Sequence, residues 1–128
     1  MSDYIRPDNL PEALQALSAK RLTIIAGGTD YYPARVDQPL DDDLLDITAI
    51  AGLRGIEERA DDFRIGALTR WSDIVGAALP PAFDGLKASA RVIGGIQIQN
   101  AATLIGNICN ASPAADGVPN LLALDARV

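Results

Sequence analysis

The first residues that could do chemistry are two adjacent glycines followed by a hydroxyl and a carboxylate, in the segment Ala26-Gly27-Gly28-Thr29-Asp30. The apolar run from Leu22 to Ile25 predicts a strand that ends at these glycines. Glycine can adopt positive φ and leaves backbone N–H groups accessible, and Thr29 or Asp30 can cap a following helix. Because unpaired N–H groups at a helix N-terminus bind anions, the segment predicts a phosphate site. A turn that needs glycine for steric reasons alone is the alternative, and it is favoured while the segment is considered by itself.

A second candidate stretch, from Gly94 to Gly117, is rich in small, polar and amide side chains. Asparagine, serine and threonine are interleaved there with apolar residues, and burying them is costly unless each finds a hydrogen-bond partner. A polar ligand would supply such partners. The equal alternative is that the amides bind backbone groups of their own loop. We also consider that the loop from Gln97 to Asn110 docks a protein partner.

Composition removes several classes of function. The chain has no histidine, and its single cysteine, Cys109, cannot form an intrachain disulfide or a multi-cysteine metal site. A net charge of −6 disfavours nucleic acids and anionic membranes as partners. The acidic run Asp41-Asp42-Asp43 predicts a solvated turn, with a divalent-cation site as the alternative. Since the sequence contains neither an apolar run long enough to span a membrane nor a secretion signal, we expect a cytoplasmic protein.

The elements that position the glycine segment form a predicted N-terminal α/β lobe, residues 1–53. Tyr4-Ile5 predicts a short strand, and the helix that follows it should end by Lys20-Arg21. The strand at 22–25 then completes a β-α-β unit, whose two strands should pair in parallel. The compact apolar run at 44–47 predicts a third parallel strand.

The amide-rich stretch belongs to a second predicted unit, residues 54–128. Residues 55–59 and 63–67 have the pattern of a hairpin with a polar turn. Thr69 is the predicted cap of the next helix, and Pro80-Pro81 should end that helix and start another. The final residues have the pattern of a turn that enters a further strand. We therefore expect the chain to be truncated, a fragment of a longer subunit.

Two motifs taken together resemble a known family. They are the segment from Ala26 to Asp30 and the stretch from Thr103 to Asp116, TLIGNICNASPAAD. In this order and at this separation they are similar to the FAD-binding medium subunit of molybdenum hydroxylases, the family of the xanthine dehydrogenase and aerobic carbon monoxide dehydrogenase flavin subunits. The resemblance runs along essentially the whole chain. It implies an α+β FAD-binding fold of the vanillyl-alcohol oxidase type, with a small parallel β-α-β lobe followed by the beginning of a second mixed lobe.

The resemblance also implies where FAD would lie. Its pyrophosphate would rest on Gly27, Gly28 and Thr29, and its second face would be held by the turn from Thr103 to Asn107. Asp116 would add a polar contact and Ile93 apolar packing. The implied cofactor-binding residues are Ala26, Gly27, Gly28, Thr29, Asp30, Ile93, Thr103, Leu104, Ile105, Gly106, Asn107 and Asp116.

The function implied by the resemblance is that of a FAD-dependent oxidoreductase subunit with no catalytic residue of its own. It would pass electrons from iron–sulfur clusters to NAD or another acceptor. Its implied partners are an iron–sulfur small subunit and a molybdopterin large subunit, and a chain of this length is expected to be inactive alone. Ile105 stands where the family motif usually carries a second glycine, which predicts a looser turn. The alternatives are a protein-docking module and a binder of another phosphate ligand.

Overall fold

The N-terminal residues form a three-stranded parallel sheet with one helix packed against it. The computed structural model describes residues 1–128. Helix α1 (Leu10–Ala19) connects the first two strands along the chain. In sequence order the strands are β1 (Tyr4–Ile5), β2 (Thr23–Ile25) and β3 (Leu44–Asp46), and their order in the sheet is β1-β3-β2.

Strand β3 occupies the centre of this N-terminal sheet. All three of its residues are buried, and it pairs in parallel with both neighbours. The predicted third strand is therefore confirmed, whereas the predicted direct pairing of β1 with β2 is wrong. A parallel strand buried on both faces gains most from a central position, so β3 separates the two strands that α1 connects.

The remaining residues form a hairpin and a layer of helices. Strands β4 (Ile56–Glu58) and β5 (Phe63–Ile65) pair antiparallel, which confirms the predicted hairpin. The helices are α2 (Trp71–Gly76), α3 (Asp84–Val92), α4 (Ile96–Gln99), α5 (Leu104–Asn110) and α6 (Gly117–Ala123). Short 3-10 helices lie at Pro33–Arg35, Ala51–Leu53 and Pro81–Phe83. The fold is thus the mixed α+β class predicted from the sequence, and none of its helices is long and apolar enough to cross a membrane.

Buried apolar side chains form two separate clusters. One lies between the N-terminal sheet and α1 and is built on Ala13, Leu45 and Ile50. The other lies among the helices and consists of Trp71, Ile74, Phe83, Leu86, Ala90 and Leu104, with Ile56, Phe63 and Ile65 of the hairpin packed against it. Trp71 is 1% exposed and is the largest of the fully buried side chains. The division of the chain at residue 53 stays a prediction.

The start of α2 differs from the prediction that Thr69 caps it. The Thr69 hydroxyl accepts a hydrogen bond from the N–H of Gly55 at 3.1 Å and donates to the carbonyl of the same residue at 3.0 Å. The Asp73 carboxylate instead accepts from the backbone N–H of Arg70 at 2.9 Å. Asp73 also binds the guanidinium of Arg54 through two hydrogen bonds, of 2.9 and 2.8 Å. Thr69 has a distant partner, which local spacing in the sequence could not reveal.

The loop predicted from Gln97 to Asn110 is largely helical, so that prediction is wrong. Helices α4 and α5 supply ten of its fourteen residues. Gln99, which is 8% exposed, donates from its side-chain amide to the backbone carbonyl of Arg91 at 3.0 Å. The Asn107 side chain accepts from the backbone N–H of Gly117 at 2.9 Å. These two amides bind backbone groups within the chain, which is the alternative that the sequence left open.

No α-helix lies between the glycine segment and β3. Turns occupy residues 29–32, and the 3-10 helix Pro33–Arg35 is the only helix in this interval. Thr29 and Asp30 therefore cap nothing, and the predicted helix N-terminus is wrong. Pro33 instead opens the 3-10 helix, at a first-turn position where its missing N–H has no intrahelical partner to lose.

Candidate functional site

A cavity of about 440 Å³ lies between the end of β2 and the start of α5. Small-molecule sites in proteins usually have volumes of roughly 300–1,000 Å³. Of the twelve residues that the sequence predicts to bind a cofactor, the nine that line this cavity are Ala26, Gly27, Gly28, Thr29, Asp30, Ile93, Thr103, Gly106 and Asn107. The fold thus brings two motifs that are distant in the sequence to one cavity.

The first wall of the cavity, residues 26–31, needs both of its glycines for steric reasons. A Cβ atom at Gly27 would lie 2.2 Å from the carbonyl oxygen of Ala101, so the two segments could not approach as closely. Gly28 has a φ of +68°, and a Cβ atom there would lie 2.6 Å from the ring of Tyr32. The steric alternative therefore accounts for both glycines. Gly27 is the point at which the first wall touches the segment leading into α5.

The backbone N–H groups of the first wall have no partner within the chain. None of the six in residues 26–31 donates to a backbone carbonyl, and none donates to a side-chain oxygen. Residues 26–29 are nevertheless half-buried. Unpaired N–H groups are costly to shield from water unless a solvent molecule or a ligand accepts from them. The predicted helix N-terminus is absent, yet a row of free donors is present.

The second wall of the cavity, residues 103–107, has its polar groups largely satisfied. Thr103 caps α5 through its hydroxyl oxygen, which accepts from the N–H of Gly106 at 2.9 Å. A Cβ atom at Gly106 would lie 2.7 Å from that oxygen, so glycine permits the cap. The hydrogen bond from Gly117 to the side chain of Asn107 ties α5 to α6. This wall is held in place by its own side chains.

Three predicted site residues do not line the cavity, namely Leu104, Ile105 and Asp116. Leu104 is 1% exposed in the helical core, and its N–H donates to the carbonyl of Thr69 at 3.2 Å. Ile105 lies in the first turn of α5, where the backbone needs no positive φ, so the expected looser turn is wrong. Asp116 is exposed at the start of α6, and its carbonyl accepts from the side chain of Asn120 at 2.8 Å.

The sequence analysis missed a cation in the cavity, Arg35, which is the only positively charged residue in its lining. Its guanidinium carbon lies 4.0 Å from the centroid of the Tyr31 ring, and its Nη1 donates to the Tyr31 carbonyl at 3.2 Å. Its Nε lies 3.2 Å from Oδ2 of Asp42. Tyr31 lies four positions before Arg35, and this spacing could have indicated that the two side chains pack together. The ion pair with Asp42 is not evident from the spacing.

The acidic run beside Arg35 binds cationic and hydroxyl groups of the chain itself. Burial, followed by the 2.9 Å hydrogen bond from the Tyr31 hydroxyl to Asp42, raises the pKa of Tyr31 above its ordinary value. Asp43 accepts from the N–H of Asp3 at 2.7 Å and from Lys20 at 3.0 Å, and these bonds hold its pKa below the usual range. Two of the three carboxylates therefore brace the fold rather than form a merely solvated turn.

Apolar side chains complete the lining of the cavity. Trp71, Ile93 and Ile98 line it on the helical side, and Ile24 and Ile25 line it on the side of the sheet. The first wall and Arg35 provide donors and positive charge at the same site. A space with apolar surface and a few convergent polar groups suits a ligand that joins a ring system to an anionic group.

A buried carboxylate supports the sheet directly beside the first wall. Asp46 is 6% exposed and pairs in register with Ile25, the last residue of β2. It accepts hydrogen bonds from the Tyr4 hydroxyl and from the N–H and hydroxyl of Thr48, at 2.8 and 2.6 Å, and Arg6 Nε lies 3.3 Å away. Burial alone would raise the pKa of Asp46, but the bonds from Thr48 and Tyr4 outweigh it and leave that pKa lowered. The bond to Asp46, followed by burial, raises the pKa of Tyr4 to about 12.

Comparisons with known proteins find relatives along the whole chain. The sequence family described as the FAD binding domain in molybdopterin dehydrogenase matches residues 1–128. The chain is 36% identical over 130 residues to the glyceraldehyde dehydrogenase medium chain of Sulfolobus acidocaldarius, which covers 98% of this chain and 46% of that relative. It is 32% identical over 136 residues to the xanthine dehydrogenase FAD-binding subunit of Escherichia coli, covering 99% of this chain and 45% of that subunit.

Solved structures agree with the sequence relatives. A chain of reconstituted carbon monoxide dehydrogenase from Oligotropha carboxidovorans superposes with a TM-score of 0.80 at 28% identity. The match covers 91% of this chain and 42% of that chain. This chain therefore spans less than half the length of the relatives that it matches.

Proposed function

Since the chain belongs to the family of FAD-binding domains in molybdopterin dehydrogenases, we propose that it binds FAD in the cavity between the first and second walls. The proposed role is that of a flavin subunit in an oxidoreductase complex of the xanthine dehydrogenase type, inactive without its partners. It receives electrons from iron–sulfur clusters and delivers them to NAD or another acceptor. The proposed partners are an iron–sulfur small subunit and a molybdopterin large subunit, in a cytoplasmic hetero-oligomer.

The observation that carries this proposal is the row of free N–H groups at one end of a partly apolar cavity. Residues 26–31 offer donors that the chain itself leaves unpaired. The diphosphate of FAD is an acceptor-rich anion, and its isoalloxazine ring system is flat and largely apolar. The cavity offers a matching partner for each part of the molecule, which supports FAD over a purely polar ligand.

Each part of the chain has a defined task in the proposed site. FAD supplies the hydride and one-electron chemistry that protein side chains lack. The N–H groups of residues 26–31 hold the diphosphate, while Trp71, Ile93 and Ile98 keep water away from the ring system. Thr103 and Asn107 shape the opposite wall. The contacts implied for Leu104, Ile105 and Asp116 are not kept in the proposal, since these residues lie outside the cavity.

Titration of the chain with FAD tests the proposal directly. We expect saturable binding of one FAD per chain, measured by calorimetry and by the change in flavin fluorescence. Failure to bind FAD at high micromolar concentration would contradict the proposed function. The electron-transfer role is tested separately, by co-purifying the chain with its proposed partner subunits and asking whether reduction by substrate bleaches the flavin absorbance.

A second candidate is a binder of another diphosphate ligand, because the free N–H groups and Arg35 recognise phosphate rather than flavin. Calorimetry with ADP distinguishes the two. Equal affinity for ADP and FAD would favour the second candidate, whereas a clear preference for FAD supports the first. Docking of a protein partner by residues 97–110 has less support, because Gln99 and Asn107 already bind within the chain.

A further inference from the structure

The cavity contains a cation whose position is unusually well defined. Arg35 lines the same space as the first wall, and its side chain is 31% exposed. The other charged residue in the lining is Asp30, a carboxylate. An anionic ligand that enters this space therefore meets one cationic side chain, which is itself paired with Asp42.

Three contacts hold the Arg35 guanidinium in one place. Its face packs on the Tyr31 ring, its Nη1 donates to the Tyr31 carbonyl, and its Nε pairs with Asp42. The Tyr31 hydroxyl donates to the same carboxylate at 2.9 Å, so ring, carboxylate and guanidinium form a closed set. The Nη2 group has no partner within the chain. The geometry thus fixes the arginine and leaves one end of its donor fork free.

We propose that Arg35 is the cationic contact for the diphosphate of the bound dinucleotide, and that Tyr31 and Asp42 are positioning residues that hold it at the cavity. This inference rests on the proposed function. It adds a charge-bearing residue that neither glycine motif contains.

The chemistry of the first wall explains why such a contact is needed. Backbone N–H groups donate hydrogen bonds but carry no net charge, whereas a dinucleotide diphosphate carries two negative charges at neutral pH. The chain as a whole has a net charge of −6, and Asp30 lies on the same wall. Without a nearby cation, transfer of the diphosphate from water to this cavity would be opposed by repulsion. Arginine suits the task because its free Nη2 group has two N–H donors for phosphate oxygens and its charge is permanent.

The test compares FAD binding to the wild-type chain with binding to Arg35→Gln, Arg35→Lys and the control Arg64→Gln. Arg64 is exposed on β5 and makes no ion pair, so its replacement changes net charge equally but far from the cavity. We expect Arg35→Gln to weaken FAD binding by about 10-fold to 100-fold, as loss of a charge-assisted contact does. Arg35→Lys should recover part of the affinity, and Arg64→Gln should bind as the wild type does.

The dependence of affinity on salt separates a charge contact from a structural effect. The diphosphate carries the negative charge of FAD at neutral pH, so screening by salt weakens any contact between it and Arg35. The salt dependence of the dissociation constant should therefore be shallower in Arg35→Gln than in the wild type and in Arg35→Lys. Equal affinities of Arg35→Gln and wild type, equal losses in Arg35→Gln and Arg64→Gln, or an unchanged salt dependence would each overturn the inference. A wild-type chain that binds no FAD would instead contradict the proposed function.

Discussion

The two walls of the cavity differ in how far the chain satisfies their polar groups. Residues 26–31 leave every backbone N–H unpaired. In residues 103–107, the Thr103 hydroxyl, the Gly106 N–H, the Leu104 N–H and the Asn107 side-chain oxygen all have partners. The difference separates two tasks, because unpaired donors await a ligand whereas paired groups stabilise the fold.

This contrast predicts whether a substitution in a wall lowers the stability of the fold or the affinity for FAD. Alterations at the second wall should lower stability, and alterations in the donors and charge of the first wall should chiefly lower affinity for FAD. Gly27 is the exception, since it lies on the first wall and contacts the segment leading into the second. A substitution there should affect both quantities.

The largest effect is expected for Gly27→Ala. The added Cβ atom would lie 2.2 Å from the carbonyl oxygen of Ala101, so the walls must separate. We expect a loss of about 1–3 kcal/mol in the free energy of unfolding, typical of overpacking, together with loss of FAD binding. Urea denaturation and FAD titration measure the two. Gly52→Ala is the matched control, since a Cβ atom there meets nothing within 4 Å, and equal behaviour of the two variants would contradict the contact between the walls.

A smaller effect, confined to stability, is expected for Asn107→Ala. The change removes the acceptor for the N–H of Gly117, which is one of the contacts between α5 and α6. Leaving a partly buried donor unpaired should cost about 1–3 kcal/mol of unfolding free energy, measured in urea. Asn107→Asp keeps an oxygen in place and should regain most of that stability, although its charge should weaken FAD binding. A fully stable Asn107→Ala chain would show that the second wall does not depend on this bond.

The smallest effect is expected in how the free energy of unfolding depends on pH. It arises at Asp46, which lies beside the first wall and whose pKa is raised by burial but lowered more strongly by hydrogen bonds. The folded-state pKa of Asp46 is lowered, so its contribution to stability is present above the unfolded pKa of about 3.9 and is lost as pH falls through the folded pKa. For Tyr4 the folded pKa is raised from 10.0 to about 12, so its contribution is full below the first value and is lost as pH rises through the second.

Urea denaturation across the pH range tests this linkage. Asp46→Asn should reduce the loss of unfolding free energy at both acidic and alkaline pH, because the Asp46 carboxylate also accepts the hydrogen bond from the Tyr4 hydroxyl. Asp61→Asn serves as the control, since Asp61 is exposed and forms neither a hydrogen bond nor an ion pair. Identical profiles for Asp46→Asn and the control would show that Asp46 does not support the sheet in this way.

Elements defined by local patterns could be predicted, and elements defined by distant contacts could not. The strand at Leu44–Asp46 and the hairpin follow from apolar runs and polar turns, and the structure contains both. The central place of β3 and the partner of Thr69 depend on residues far along the chain. The α-helix expected after the caps at Thr29 and Asp30 is replaced by turns and by the 3-10 helix Pro33–Arg35.

The candidate site shows the same division. The two motifs pointed to eight residues that do line one cavity, and the resemblance added Ile93, although the sequence alone could not show that Leu104 is buried or that Asp116 lies elsewhere. Arg35 escaped the sequence analysis because its role depends on Asp42, seven residues later in an irregular segment. A ligand site assembled across loops is defined by tertiary contacts, and a motif search detects only its most distinctive residues.

The central claim is that FAD binds to the free donors of the first wall, and amide hydrogen exchange in the presence and absence of FAD measures this most directly. We expect exchange to slow on binding for the amides of residues 26–31, while the N–H of Asp61, which is also unpaired but exposed and outside the cavity, exchanges at the same rate in both states. Saturable FAD binding that leaves exchange at residues 26–31 unchanged would contradict binding at the first wall.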